Sequence, residues 1–90
     1  MEFIKSQEKF SMYTKSNCLY CDLSKLLFQN SGLEVLLINC DNYLLDNRDN
    51  FLLFIKQLCG KEYKTFPIIF YNGLFIGGYT EIKELLINDF

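Results

Sequence analysis

The chain of 90 residues has no histidine, no tryptophan and no alanine, and only one proline, one arginine and one valine. The missing histidine is the most restrictive of these absences. Imidazole is the commonest general base and the commonest metal ligand, so hydrolysis by a Ser-His or Cys-His pair is excluded. An excess of positive charge is also missing. Nine Lys and Arg stand against eleven Asp and Glu, with a sequence pI of about 5.0, which weighs against nucleic acid as a partner. No apolar run is long enough to span a bilayer, so no membrane role is expected. The opening "MEFIKSQEK" lacks the apolar core of a cleaved secretory signal, and this favours the cytoplasm, where thiols are kept reduced.

What is present is a folding chain. Half of the residues are hydrophobic and 17% are aromatic, enough for one domain over 1–90 with its own core. "KFSMYTK" (Lys9 to Lys15) reads as a strand. Asn17 then offers a helix start, and Leu23, Leu26 and Leu27 form an apolar helical face that ends at Gly32. "EVLLIN" (Glu34 to Asn39) is a continuous apolar run, expected to be covered on both faces. After a polar stretch, Phe51, Phe54, Ile55 and Leu58 mark a second helix closed by Gly60. Asn72-Gly73 separates two short apolar runs, a strong hairpin signal. Thr80 is placed to cap a last helix that turns Ile82, Leu85 and Leu86 inward. The expected order is β-α-β-α-β-β-α, an α/β domain with a four-stranded mixed sheet and helices on both faces.

Of four cysteines, Cys18 and Cys21 form a C-x-x-C pair at the first strand-to-helix junction. Residues three apart share one face of a helical turn, with Cα atoms roughly 5–5.5 Å apart, inside the window for a disulfide. A thiolate at Cys18 would face unsatisfied N–H groups and the positive end of the helix dipole, with Lys15 three residues upstream. Its pKa is expected to lie below the free-thiol value of about 8.5. Cys21, one turn inside, gains less. Cys18 is therefore the expected nucleophile and Cys21 the resolving thiol. The alternatives are half of a zinc site, which lacks a second pair or histidines, and an inert core pair, which a solvent-facing first turn disfavours. Cys40 and Cys59 read as packing residues.

Three motifs resemble the glutaredoxins of the thioredoxin-fold superfamily. "KSNCLYC" (Lys15 to Cys21) is similar to the family's Lys-x-x-Cys-Pro-Tyr-Cys active site, "KTFP" (Lys64 to Pro67) to its Thr-Val-Pro segment with a preceding basic residue, and "IGGYTE" (Ile76 to Glu81) to its Gly-Gly motif. The resemblance implies a thioredoxin-like fold and a glutathione site built from Lys15, Tyr20, Lys64, Thr65, Phe66, Pro67, Gly78, Tyr79 and Thr80. In it a cis bond before Pro67 turns the Phe66 backbone toward the ligand, Lys15 and Lys64 (Lys61 as a weaker choice) meet the glycyl carboxylate, and Thr80 helps hold the γ-glutamyl carboxylate. Gly77 and Gly78 leave room for close approach. Leu19 replaces the proline between the cysteines, and Ile68 a polar residue after Pro67.

The resemblance further implies a monomeric, glutathione-dependent thiol–disulfide oxidoreductase acting on disulfide-bonded or glutathionylated proteins, ribonucleotide reductase among them. Glutathione is the reductant, and no resident metal is expected. Two rivals remain: a reductant fed by thioredoxin reductase, against which the absent Trp-Cys-Gly-Pro-Cys and absent tryptophan speak, and a [2Fe–2S] binder held by Cys18 and glutathione. Scarce Ala, Arg and Val beside abundant Ile, Asn, Lys, Phe and Tyr look like an A+T-rich coding sequence, as parasites and large DNA viruses often have; with a viral source the cytoplasm would be the host's.

Overall fold

A computed structural model of the protein describes residues 9–88. Its elements are β1 (Phe10–Thr14), α1 (Leu19–Ser31), β2 (Leu36–Asn39), α2 (Asp41–Asp46), α3 (Arg48–Cys59), β3 (Ile68–Tyr71), β4 (Leu74–Gly77) and α4 (Tyr79–Asn88). The strands form one sheet in the order β2-β1-β3-β4. β1 and β2 run parallel through α1, as a β-α-β crossover requires, and β3 lies antiparallel to both β1 and β4.

The period-2 alternation of strand side chains divides the core in two. Tyr13 pairs with Ile68 across β1 and β3, and these side chains join Phe70, Phe51 and Ile55 on the face covered by α2 and α3. Phe10, Met12 and Ile69 point the other way and meet Phe28 of α1 with Ile82 and Leu86 of α4. Fully burying a side chain such as Phe28 or Phe51 contributes about 2–3 kcal/mol. Helices on both faces of a mixed four-stranded sheet are what the sequence pattern anticipates.

The hairpin turn also matches. Asn72 and Gly73 both have positive φ (50° and 81°), as a type I′ turn demands. Gly32 ends α1 and Gly60 ends α3, both left-handed.

Five details differ from the sequence reading. The polar stretch after β2 is not a loop but the short helix α2, so two helices stand where one was expected. It starts where the Asn39 side chain accepts the Asp41 N–H at 2.9 Å, and it breaks at Asn47 (φ −154°). β2 is an edge strand, not one covered on both faces: Ile38 is buried, whereas Leu36 and Leu37 are 41% and 47% exposed. α1 turns inward Cys21, Ser24 and Phe28 in place of the leucine face, and Leu26 is exposed. Ser24 is tolerated there because its hydroxyl donates to the Tyr20 carbonyl at 2.7 Å. Cys18, not Asn17, is the N-cap of α1; Asn17 precedes it with φ 55°. At α4 the capping residue is Gly78, and Thr80 is the second helical residue.

Candidate active site

The active-site loop joins β1 to α1. At its end Cys18 leaves the extended backbone (φ −124°, ψ 104°), and its Sγ accepts the Cys21 N–H at 3.2 Å. Sulfur here takes the place that a Ser or Asp oxygen holds at most helix starts. Cys18 and Cys21 are joined in a disulfide with Cα atoms 5.2 Å apart. Cys21 is fully buried while Cys18 retains 9% exposure, so Cys18 is the more accessible member of the pair. The expectation of a solvent-facing first turn is thus met by Leu19 and Tyr20, which are 65% and 54% exposed, and not by Cys21.

A second tie fixes the loop. Ser16 donates its backbone N–H to Asp41 Oδ1 at 2.9 Å, and its hydroxyl donates to Asp41 Oδ2. These two bonds, foremost the hydroxyl's, hold the Asp41 carboxyl below its ordinary pKa range, with a smaller contribution from Lys15.

From Cys18 the site continues into the loop before β3. The Phe66–Pro67 peptide is cis, and the Phe66 carbonyl oxygen lies 3.7 Å from Cys18 Sγ. Beyond it runs a groove of about 270 Å³ lined by Tyr20, Tyr63, Thr65, Phe66, Pro67, Gly78, Tyr79, Thr80 and Glu81. Tyr20 and Tyr79 approach across one end with ring centroids 5.5 Å apart. Opposite, the Gly78 N–H donates to Glu81 Oε1 at 2.8 Å, one half of a capping box at the start of α4. A larger cavity of about 530 Å³ is lined by Phe10, Leu33, Val35 and Tyr71 among others, but by neither cysteine. Neither cysteine lines the smaller groove either, but Phe66 does, and its carbonyl oxygen 3.7 Å from Cys18 Sγ ties this groove to the cysteine pair.

One groove therefore gathers Tyr20, Thr65, Phe66, Pro67, Gly78, Tyr79 and Thr80 from three separated stretches of chain. Lys15 and Lys64 are not in its lining. Lys15 Nζ stands 5.5 Å from the centre of the Phe66 ring, beside the groove, and Lys64 faces a neighbouring cavity with Lys56 and Glu62. Two residues of the groove were not among the expected site residues. Glu81 closes the "IGGYTE" motif, whereas nothing in "KEYK" marks Tyr63.

Cys40 and Cys59 are free and belong to the core, as expected. Burial pushes the Cys40 thiol up to about 12 and the Cys59 thiol up to about 11. Among the described residues no group of three or more Cys, Asp or Glu side chains is placed to hold a metal ion, so the zinc alternative has no ligand set there.

No family model matches the chain. Over 74 residues it is 32% identical to human mitochondrial glutaredoxin-2, covering 82% of this chain and 43% of that protein. Glutaredoxin 1 from Francisella tularensis, solved with cacodylate, superposes with a TM-score of 0.73 at 28% identity, over 84% of this chain and 88% of that one. In sequence and in fold the chain is similar to the glutaredoxins. A buckwheat glutaredoxin solved as a glutathione complex is also similar, with a TM-score of 0.72 at 27% identity over 86% of this chain and 66% of that one. The chain spans less than half the length of the curated glutaredoxins it matches.

Proposed function

We propose that the chain is a glutathione-dependent thiol–disulfide oxidoreductase that reduces protein–glutathione mixed disulfides and protein disulfides through Cys18. The observation that carries this is the placement of Cys18 at a helix N-cap, bonded to a fully buried partner, with its sulfur 3.7 Å from the carbonyl of Phe66, a residue that lines the groove.

In the reduced protein the Cys21 N–H and the other free amides of the first turn of α1 favour a thiolate at Cys18 over the thiol. That thiolate attacks the glutathione sulfur of a mixed disulfide. A Cys18–glutathione disulfide forms and the substrate leaves as its own thiolate. A second glutathione thiolate then attacks the glutathione sulfur, releasing glutathione disulfide and restoring Cys18. With a protein disulfide, Cys18 bonds to one substrate sulfur, Cys21 displaces it, and the intramolecular disulfide seen here results. Two glutathione molecules return it to the dithiol.

The groove supports glutathione as the peptide. Phe66 offers backbone N–H and C=O to an extended ligand, Thr80 lies at the open amides of α4, and Gly78 presents no side chain. Lys15, beside the groove over the Phe66 ring, acts as a rim charge for a carboxylate. The complex of the buckwheat relative with glutathione points the same way. A reducing compartment such as the cytoplasm suits this chemistry.

The test is reduction of a glutathione mixed disulfide, coupled to glutathione reductase and NADPH, with the intact protein, Cys18→Ser and Cys21→Ser. Turnover by the intact protein and by Cys21→Ser, abolished in Cys18→Ser, is the expected result. Reduction of the intact protein by thioredoxin reductase, with no glutathione-driven turnover, overturns the proposal.

A further inference from the structure

We infer that Tyr63 is a ligand-binding residue of the groove, its phenolic hydroxyl donating a hydrogen bond to a carboxylate of the thiol peptide held beside Cys18. This rests on the glutathione reading above and adds a specificity residue to it.

Tyr63 sits in the loop between α3 and β3, and its ring is anchored. It packs edge-on against Phe75 of β4, with centroids 4.9 Å apart and planes at 73°, and it joins the partly buried shell of the α3-side core. The hydroxyl at the far end of that fixed ring has one place to be, against the Gly78 backbone. A Cβ at Gly78 would stand 2.9 Å from the Tyr63 oxygen and 3.3 Å from the Pro67 carbonyl oxygen. The side on which a Cβ would project from Gly78 is thus taken up by the Tyr63 phenol and the Pro67 carbonyl, and glycine at this position lets the hydroxyl come close to the groove backbone. Tyr63 also lines the adjoining cavity with Lys56, Glu62 and Lys64, so it is the wall between the two spaces.

The chemistry of the groove calls for such a donor. Glutathione carries two carboxylates, yet the groove has its own carboxylate in Glu81, and Glu81 already occupies the Gly78 N–H. An anionic peptide entering there needs donors that are still open. Tyr63 is neutral and shares one hydrogen bond with the Thr65 side chain, leaving further capacity in its hydroxyl. Burial, above all, and then the nearby negative charge of Glu81 raise its pKa, against the opposing effect of the Thr65 bond. It therefore remains a protonated donor throughout the range in which thiolates react.

The experiment replaces that oxygen alone. Tyr63→Phe keeps the ring, and KM and kcat are measured with the β-mercaptoethanol–glutathione mixed disulfide in the coupled assay. The control is bis(2-hydroxyethyl) disulfide, which has no carboxylate, reduced with dithiothreitol as the electron source. The inference expects KM for the glutathione substrate to rise about tenfold to a hundredfold, as for one lost hydrogen bond to a charged group, with kcat and the control rate within about twofold of the wild type. Unchanged KM overturns it, as does an equal loss on both substrates. A second arm uses the same mixed disulfide with both carboxylates esterified: Tyr63→Phe should discriminate acid from ester less than the wild type by the same factor. Equal discrimination by both proteins overturns the inference. Wild-type protein that turns over the control but not the glutathione substrate overturns the glutathione reading and this inference together, and it is told apart because the failure already appears without the mutation.

Discussion

Ser11 is the second residue of β1, 1% exposed, and its hydroxyl has no hydrogen-bond partner. A buried hydroxyl without a partner costs stability that an apolar side chain of similar size avoids. Ser11→Ala should leave the protein as stable as the wild type or up to about 1 kcal/mol more so, read from urea denaturation. The two free thiols give a second residue-level expectation. Their raised pKa values keep Cys40 and Cys59 protonated at neutral pH, and Cys40 is wholly enclosed. Iodoacetamide applied to the reduced native protein should therefore label Cys18 first, with Cys40 labelled only after unfolding, as peptide mass spectrometry would show. The packing role of both was legible in the sequence, because a lone cysteine on an apolar run behaves as a small hydrophobe. Ser11 and Tyr63 were not legible. A serine inside a strand and a tyrosine inside a charged loop acquire their roles only from neighbours far away in the chain.

Among the elements, the packing of α1 against α4 and the seam of the active-site loop with α2 carry separate tests. Ile82 of α4 is fully buried with Phe28 of α1 and Ile69 of β3. Ile82→Ala should cost about 2–5 kcal/mol by leaving a cavity, measured by denaturant titration. The loop seam is electrostatic. Because the Asp41 pKa is lowered in the fold, the stability it contributes is fully present above the ordinary carboxylate range and lost as pH falls through the lowered value. The thermal midpoint of Asp41→Asn should thus lie below that of the wild type near neutral pH, and the two curves should converge in acid. Periodicity revealed α3 and α4 well, since Phe51, Ile55, Ile82 and Leu86 do face inward. It misjudged α1 and β2 for definite reasons. The inward stripe of α1 contains Ser24, whose polarity is satisfied by its own helix, and β2 has an open edge that no local pattern announces. α2 escaped notice because six residues are too few to show a helical period.

For the molecule as a whole, the mixed four-stranded sheet followed from the order of elements, and the gathering of three distant motifs around one groove from the family resemblance. The partition of charge did not: Lys64, adjacent in sequence to the groove residue Thr65, faces a different cavity. The disulfide joins residues only three apart in sequence and contributes at most about 2 kcal/mol of loop-closure entropy. Reduction should therefore leave the far-UV circular dichroism unchanged and move the thermal midpoint by a few degrees only; loss of helical signal in dithiothreitol would contradict this. The burial of Cys21 has a consequence for the order in which reactants come and go. With Cys21 fully buried, oxidant and reductant cannot both be engaged with the pair, so each must depart before the next arrives. Steady-state kinetics should accordingly be of the ping-pong kind, with parallel lines in double-reciprocal plots when one substrate is varied at fixed levels of the other.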